Sequence, residues 1–115
     1  MINGVHAIVY SKEAEKIRFF FRDVLEWPFV DAGQGWLIFA LPPAELGVHP
    51  AEANSHEICL MCDDIHSTIE KLKSKGVAIS QPVADQGWGL VTQIELPDGT
   101  RMGLYQPRHP QPPRA

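Results

Sequence analysis

Cys59 and Cys62 stand three residues apart, a spacing that elsewhere holds zinc or runs thiol–disulfide exchange. Here they lie in Ile58-Cys59-Leu60-Met61-Cys62, an apolar, strand-like run without the glycine or proline knuckle that would bring both sulfurs to one ion. Successive side chains of a strand alternate faces, so residues three apart point to opposite sides. The pair is therefore read as two structural thiols, each behaving as a small hydrophobe. Two tryptophans offer different chemistry, since Trp36 and Trp88 can stack on a planar ligand, although a Trp is equally at home in a core. Trp88 sits between Gly87 and Gly89, and flanking glycines let the backbone approach a ligand closely. Cys59 and Met61 would line a pocket with soft, adaptable surface, Tyr10 and Tyr105 carry hydroxyls suited to a cavity rim, and Arg101 and Arg108 are the basic groups nearest its mouth.

These residues need elements to position them. Gly4–Tyr10 is rich in β-branched residues and reads as a strand, followed by Ser11 as a helix N-cap. Ala14, Ile17, Phe20, Phe21, Val24 and Leu25 recur at three and four residues and predict a helix over Lys12–Leu25 with one stripe against a sheet. Three strands are expected at Trp27–Asp31, Gly35–Leu41 and Ala44–Pro50, parted by Ala32-Gly33-Gln34-Gly35 and by Pro42-Pro43. After a polar linker at 51–55, Glu57–Cys62 predicts a strand, Asp63-Asp64 a cap, and Ile65–Lys75 a second helix closed by Gly76. Val77–Ser80, Gly87–Glu95 and Arg101–Gln106 complete the strands, the last two joined by Pro97-Asp98-Gly99-Thr100.

Residues 5–25 laid over 56–76, at an offset of 51, match strand to strand, cap to cap and helix to helix. Such an internal repeat governs the fold more than any short motif. Each half holds one helix and four strands, too little to close its own core, so the halves must pair within or between chains. The expectation is an α+β domain over 4–106, made of two βαβββ repeats, 4–50 and 56–106. Mixed sheets would curl around a central cavity with one helix outside each half, and a proline-rich tail follows at 107–115.

Composition narrows the partners. A chain of 115 residues, 44% apolar and 21% charged, suits one globular domain. A net charge of −4 with no Lys/Arg cluster argues against nucleic acid, whose affinity rests on neutralised phosphates. No apolar run reaches membrane-spanning length and Met1–Val5 carries no export signal, so the expected setting is the cytoplasm, where cysteines stay reduced.

His6-Ala-Ile-Val-Tyr-Ser, Phe20-Phe21-Arg22-Asp23-Val24-Leu25, Asp63-Asp64-Ile65, Lys75-Gly76-Val77, Trp88-Gly89 and Leu96-Pro97-Asp98-Gly99 with Leu104-Tyr105 together resemble the vicinal oxygen chelate superfamily of glyoxalases, bleomycin-resistance proteins and extradiol dioxygenases. The resemblance covers residues 4–106. It implies metal ligands on the first strand and the last strands of each half, and a homodimer in which one chain can complete the pocket of another. His6 matches the first-strand histidine; the corresponding position of the second half is Glu57, with His56 one place earlier. Alternation puts Glu57, Cys59 and Met61 on the cavity side of their strand and Ile58, Leu60 and Cys62 on the helix side. Glu45 or His49 would supply the ligand from the fourth strand, and the last-strand carboxylate is replaced by Gly103.

Dioxygenase iron chemistry needs two histidines and a carboxylate. Only His6 matches in kind, so that activity is disfavoured. The resemblance then leaves two readings. In one, His6, Glu57 and Glu45 or His49 hold a divalent ion (Ni, Zn, Mn, Co or Fe) that takes two oxygens of a small carbonyl compound, with Glu57 or Glu45 moving the proton, as in a glyoxalase-like lyase or isomerase. In the other, no metal is bound, and Trp36, Trp88, Tyr105 and the apolar strand faces enclose a small molecule without chemistry, as in drug-sequestering members.

Overall fold

A computed structural model describes residues 6–48 and 50–113. The elements run α1 (Ala14–Asp23), β1 (Phe29–Asp31), β2 (Leu37–Phe39), β3 (Cys59–Met61), α2 (Ile65–Ser74), β4 (Ala84–Asp85), β5 (Gly89–Glu95) and β6 (Arg101–Pro107). The architecture is α+β: β1 and β2 form an antiparallel hairpin, while the four-stranded sheet runs β3-β6-β5-β4. That sheet is mixed, with β3 parallel to β6 and the other pairs antiparallel. Neither sheet closes into a barrel.

The two helices stand one offset apart. Both helices are ten residues long, and their first residues, Ala14 and Ile65, are separated by the 51 residues of the offset. Ile17, Phe20 and Phe21 of α1 share one buried cluster with Ile65, Ile69 and Leu72 of α2 and with Ile94, Leu96, Met102 and Leu104 of the sheet. Across the halves, Lys75 Nζ donates to the Val24 carbonyl at 3.0 Å and Ser11 Oγ donates to Asp98 Oδ2 at 2.6 Å.

Local chemistry explains the helix ends. Asp64 accepts the Ser67 N–H and Gln106 Oε1 accepts the Ile65 N–H, so two of the amides left free by the first turn of α2 are satisfied. Gly76, at φ +85°, donates to Lys73 and Val77 donates to Leu72, a Schellman closure that a side chain would strain. The first helix differs from expectation. It begins at Ala14 rather than Lys12, and Ser11 is not its N-cap, because its hydroxyl is drawn to Asp98 and its oxygen accepts from Glu13 N–H ahead of the helix.

Strands differ where no neighbour is in reach. Residues 6–10 and 44–48, expected as the outer strands of the first half, join no ladder, and they leave Tyr10 87%, Leu46 91% and Val48 92% exposed. An extended segment becomes a strand only by pairing, and neither of these two is paired with an edge of this chain. Val77–Ser80 is reduced to the bridge Ile79↔Ile94, and its place at the sheet edge passes to the unforeseen β4.

Candidate functional site

Alternation along three neighbouring strands builds one face of the four-stranded sheet. Cys59 pairs with Gly103 and Met61 with Tyr105 across β3 and β6, while Val91 pairs with Tyr105 and Gln93 with Gly103 across β5 and β6. These residues share the side opposite the core, because the alternate positions Leu60, Leu90, Ile94, Met102 and Leu104 belong to it and Thr92 is fully buried. Cys59 and Met61 thus stand where alternation placed them. Cys62, three residues after Cys59, falls on the core side and its Sγ approaches the Tyr105 carbonyl at 3.6 Å. Burial pushes the thiols of both cysteines up, with Glu57 adding to the effect at Cys59, so neither is tuned toward a thiolate.

At one end of this face the rings gather. Trp88 meets Tyr105 edge to face, with centroids 5.6 Å apart, and stays 52% exposed. The Tyr105 ring lies over Gly89, where an added Cβ would come 2.8 Å from the Gln106 carbonyl and 3.1 Å from the ring. Gly89 is therefore a matter of space, while Gly87, at φ +81°, is one of backbone shape. Trp36 is elsewhere: it closes the β1–β2 hairpin, and the Arg18 guanidinium of α1 stands 5.9 Å from its ring centroid.

A polar cluster borders the rings. Tyr105 Oη lies 2.8 Å from Glu45 Oε1 and 2.8 Å from His109 Nε2, and those two atoms are 3.4 Å apart. Burial first, then the hydrogen bond to Glu45 and its charge, push the Tyr105 phenol up to about 12, so it stays protonated and serves as a donor. His109 was not anticipated, since the tail after 106 read as a featureless extended arm. Yet β6 continues to Pro107, the Arg108 N–H donates to the Trp88 carbonyl at 2.9 Å, and its guanidinium holds Asp85 at 2.8 Å. The Gly87 amide and Arg108 lower the Asp85 carboxyl accordingly. Histidine two places beyond a strand end was the available signal, and it was submerged by the prolines around it.

Of the positions implied to hold a metal, three lie among the described residues. His6 and Glu57 are exposed, His49 lies outside the described residues, and Glu45 spends its carboxylate on Tyr105. At Gly103 an added Cβ would lie 2.5 Å from Cys59 Sγ, so the thiol fills the room where a carboxylate-bearing side chain would start. Among the described residues no group of three or more His, Cys, Asp or Glu side chains is arranged to hold an ion. Two open clefts, of about 450 and 420 Å³, lie beside α2 and at the start of α1, and neither is lined by a residue of the open face or of the Tyr105 cluster. No helix among the described residues is long and apolar enough to cross a membrane.

No curated protein matches the chain. Among solved structures, it is similar to the antibiotic binding protein TnmS3 from Streptomyces sp. CB03234, with TM-score 0.67, 24% identity, and 92% of this chain and 97% of that one covered. A member of the glyoxalase/bleomycin resistance protein/dioxygenase superfamily from Sphaerobacter thermophilus DSM 20745 gives 0.65 at 23% identity, covering 91% and 98%. Lactoylglutathione lyase from Agrobacterium tumefaciens gives 0.64 at 13% identity, covering 92% and 95%. These likenesses concern the fold, and one fold hosts unrelated chemistries. The family model of the Glyoxalase/Bleomycin resistance protein/Dioxygenase superfamily matches residues 5–104, spanning both helices, the glycine-flanked Trp88 and the turn before β6. That match, over most of the chain, identifies it as a member of this superfamily.

Proposed function

We propose that this protein is a small-molecule binding module that receives a planar, mostly apolar ligand on the open face of the four-stranded sheet and does so without a metal. The observation that carries the reading is the Trp88–Tyr105 pair. Burying an indole is among the most favourable packing events open to a domain, yet Trp88 is left half out, beside a floor of Met61, Cys59 and Val91. Apolar floor, aromatic edge and a few convergent polar groups are the makings of a ligand site. The antibiotic binding protein of Streptomyces sp. CB03234 shares the fold and lends support in kind. The exposure of His6 and Glu57 and the hydrogen bond that engages Glu45 weigh against the lyase or isomerase alternative.

A second copy of the chain is the partner this reading requires. The chain exposes 9028 Å², whereas a compact protein of 12.8 kDa exposes roughly 6,300 Å². The excess of roughly 2,700 Å² is well beyond the ~800 Å² per side of an ordinary interface and in the range of obligate dimers. The unpaired segments 6–10 and 44–48 and the free outer edge of β3 are suited to pairing with a copy, which would wall the open face without filling it.

The test is a titration of the protein with a naphthalene probe in EDTA, following the indole N–H signals by NMR, with the mass measured by light scattering. The expected result is a dimer of twice 12.8 kDa and a saturable shift of one indole signal that disappears in Trp88→Phe. A metal that raises the melting temperature of the wild type by several degrees, but not that of His6→Ala, would overturn the reading in favour of the metal-dependent lyase. A ligand saturating only the folded state at 100 times its Kd adds about 2.7 kcal/mol, so such a shift is readily seen.

A further inference from the structure

Strand alternation does not set the pose of Trp88. The residue precedes β5, in a bend, and the alternate positions Leu90, Thr92 and Ile94 all turn to the core. Continued back by two residues, that pattern would send the indole to the core side. Its ring instead meets Tyr105, which stands on the opposite face. Gly87, at φ +81°, allows the change of direction, but glycines on both sides of Trp88 give the bend no stiffness of its own.

The hold comes from the first residue after β6. At this end of the ladder Gly89 faces Pro107, which has no N–H to give. Arg108 supplies the bond one step further along the same register, its N–H donating to the Trp88 carbonyl at 2.9 Å. Its guanidinium donates to Asp85 Oδ2 at 2.8 Å, while Asp85 Oδ1 accepts the Gly87 N–H at 2.9 Å. Arg108 thus grips the bend twice, at the backbone of Trp88 and, through Asp85, at Gly87. The two charged side chains are 46% and 59% exposed, so their pair is open to screening by salt and worth a factor of a few rather than orders of magnitude.

We propose that Arg108 is a positioning residue of the ligand site: it fixes the bend that carries Trp88, so that the indole stands against Tyr105 before a ligand arrives. The tail after β6 is thereby part of the site. The inference rests on the binding reading above and names the residue that prepares its aromatic wall. A ring already in place spares the ligand the cost of ordering it.

The experiment measures the Kd of naphthalene in EDTA at about 0.02 M and about 0.5 M NaCl for wild type, Arg108→Ala and Arg108→Lys, each confirmed as folded by its amide spectrum. The NOE between the Trp88 and Tyr105 rings is recorded on the ligand-free proteins. At low salt Arg108→Ala should bind about threefold more weakly than wild type and show a weaker ring-to-ring NOE. Arg108→Lys should recover most of the affinity, because an ammonium also pairs with a carboxylate. The probe is uncharged and salt alters its transfer from water equally for all three proteins, so the ratio of wild type to Arg108→Ala isolates the ion pair and should fall toward about one at high salt. Equal Kd values for these two proteins at low salt would overturn the inference and leave the binding reading standing. So would an unchanged NOE in Arg108→Ala, or a loss that persists at high salt and that lysine does not recover, since the arginine would then act through packing alone. Absence of naphthalene binding to the wild type would take down the binding reading, and this inference with it.

Discussion

Replacing Gly103 by alanine should change sign with its neighbour. An added Cβ would lie 2.5 Å from Cys59 Sγ, inside any distance real Cβ atoms keep, but the next contacts, at 3.4 and 3.6 Å to Cys59 Cβ and Cα, are near ordinary packing. The clash is thus with one movable sulfur rather than with backbone. Overpacking costs ~1–3 kcal/mol in general, and a side chain that can rotate away puts Gly103→Ala near the lower end, at about 1–2 kcal/mol. Gly103 has no positive φ, so alanine suits its backbone and would by itself contribute about 0.4–1 kcal/mol of stability through the unfolded chain. In a Cys59→Ala background the sulfur is gone, and the same substitution should stabilise by roughly 0.5 kcal/mol. Urea unfolding at one fixed protein concentration measures all four proteins, the coupling being the difference between the two effects of Gly103→Ala. If Gly103→Ala costs the same in both backgrounds, the thiol is not what keeps this position bare, and the account of the missing carboxylate fails with it.

Three further outcomes follow from the same structure. Asp64→Ala removes the side chain that accepts from Ser67 N–H and should cost about 1 kcal/mol in urea unfolding, whereas Ser11→Ala should show no helix-cap loss in the helicity of α1. Ile94→Ala empties a fully buried position between the sheet and the helices and should cost ~2–5 kcal/mol by the same measurement. Tyr105 should ionise near 12, read as the tyrosinate absorbance missing from Tyr105→Phe; Glu45→Gln should lower that midpoint without returning it to 10, because burial is the largest cause. The folded state holds this proton more tightly than the unfolded chain, so the contribution to stability is whole below pH ~10 and is lost as the pH rises through about 12.

Much of the site was legible in the residues, and the parts that were not share a cause. The two-residue period put Cys59 and Met61 on one face and Cys62 on the other, since strand alternation needs only the local chain. Glycines on both sides of Trp88 pointed to close approach, and the Tyr105 ring does lie over Gly89. Trp36 looked the same in type as Trp88, yet it is 65% exposed beside Arg18, because a hairpin tip has no neighbour that sequence spacing can announce. Glu45 was singled out as a ligand or proton carrier, whereas its observed partners, Tyr105 and His109, lie 60 and 64 positions further along the chain.

The sequence alone determined what short-range periodicity and repetition control. The 51-residue offset and the paired helical stripes specify two like halves, and the strong breakers at Gly76 and at Pro97-Asp98-Gly99 set the end of the second helix and the turn of the last hairpin. Only the tertiary structure decided which extended segments became strands, since a strand exists by virtue of a partner and residues 6–10 and 44–48 have none within one chain. It also decided the chemistry of the open face. Cys59 occupies the space beside Gly103, and a histidine from the tail meets a glutamate of the first half across one tyrosine hydroxyl. Contacts of that kind depend on where the backbone carries distant residues, and no local pattern of residue types encodes the distance.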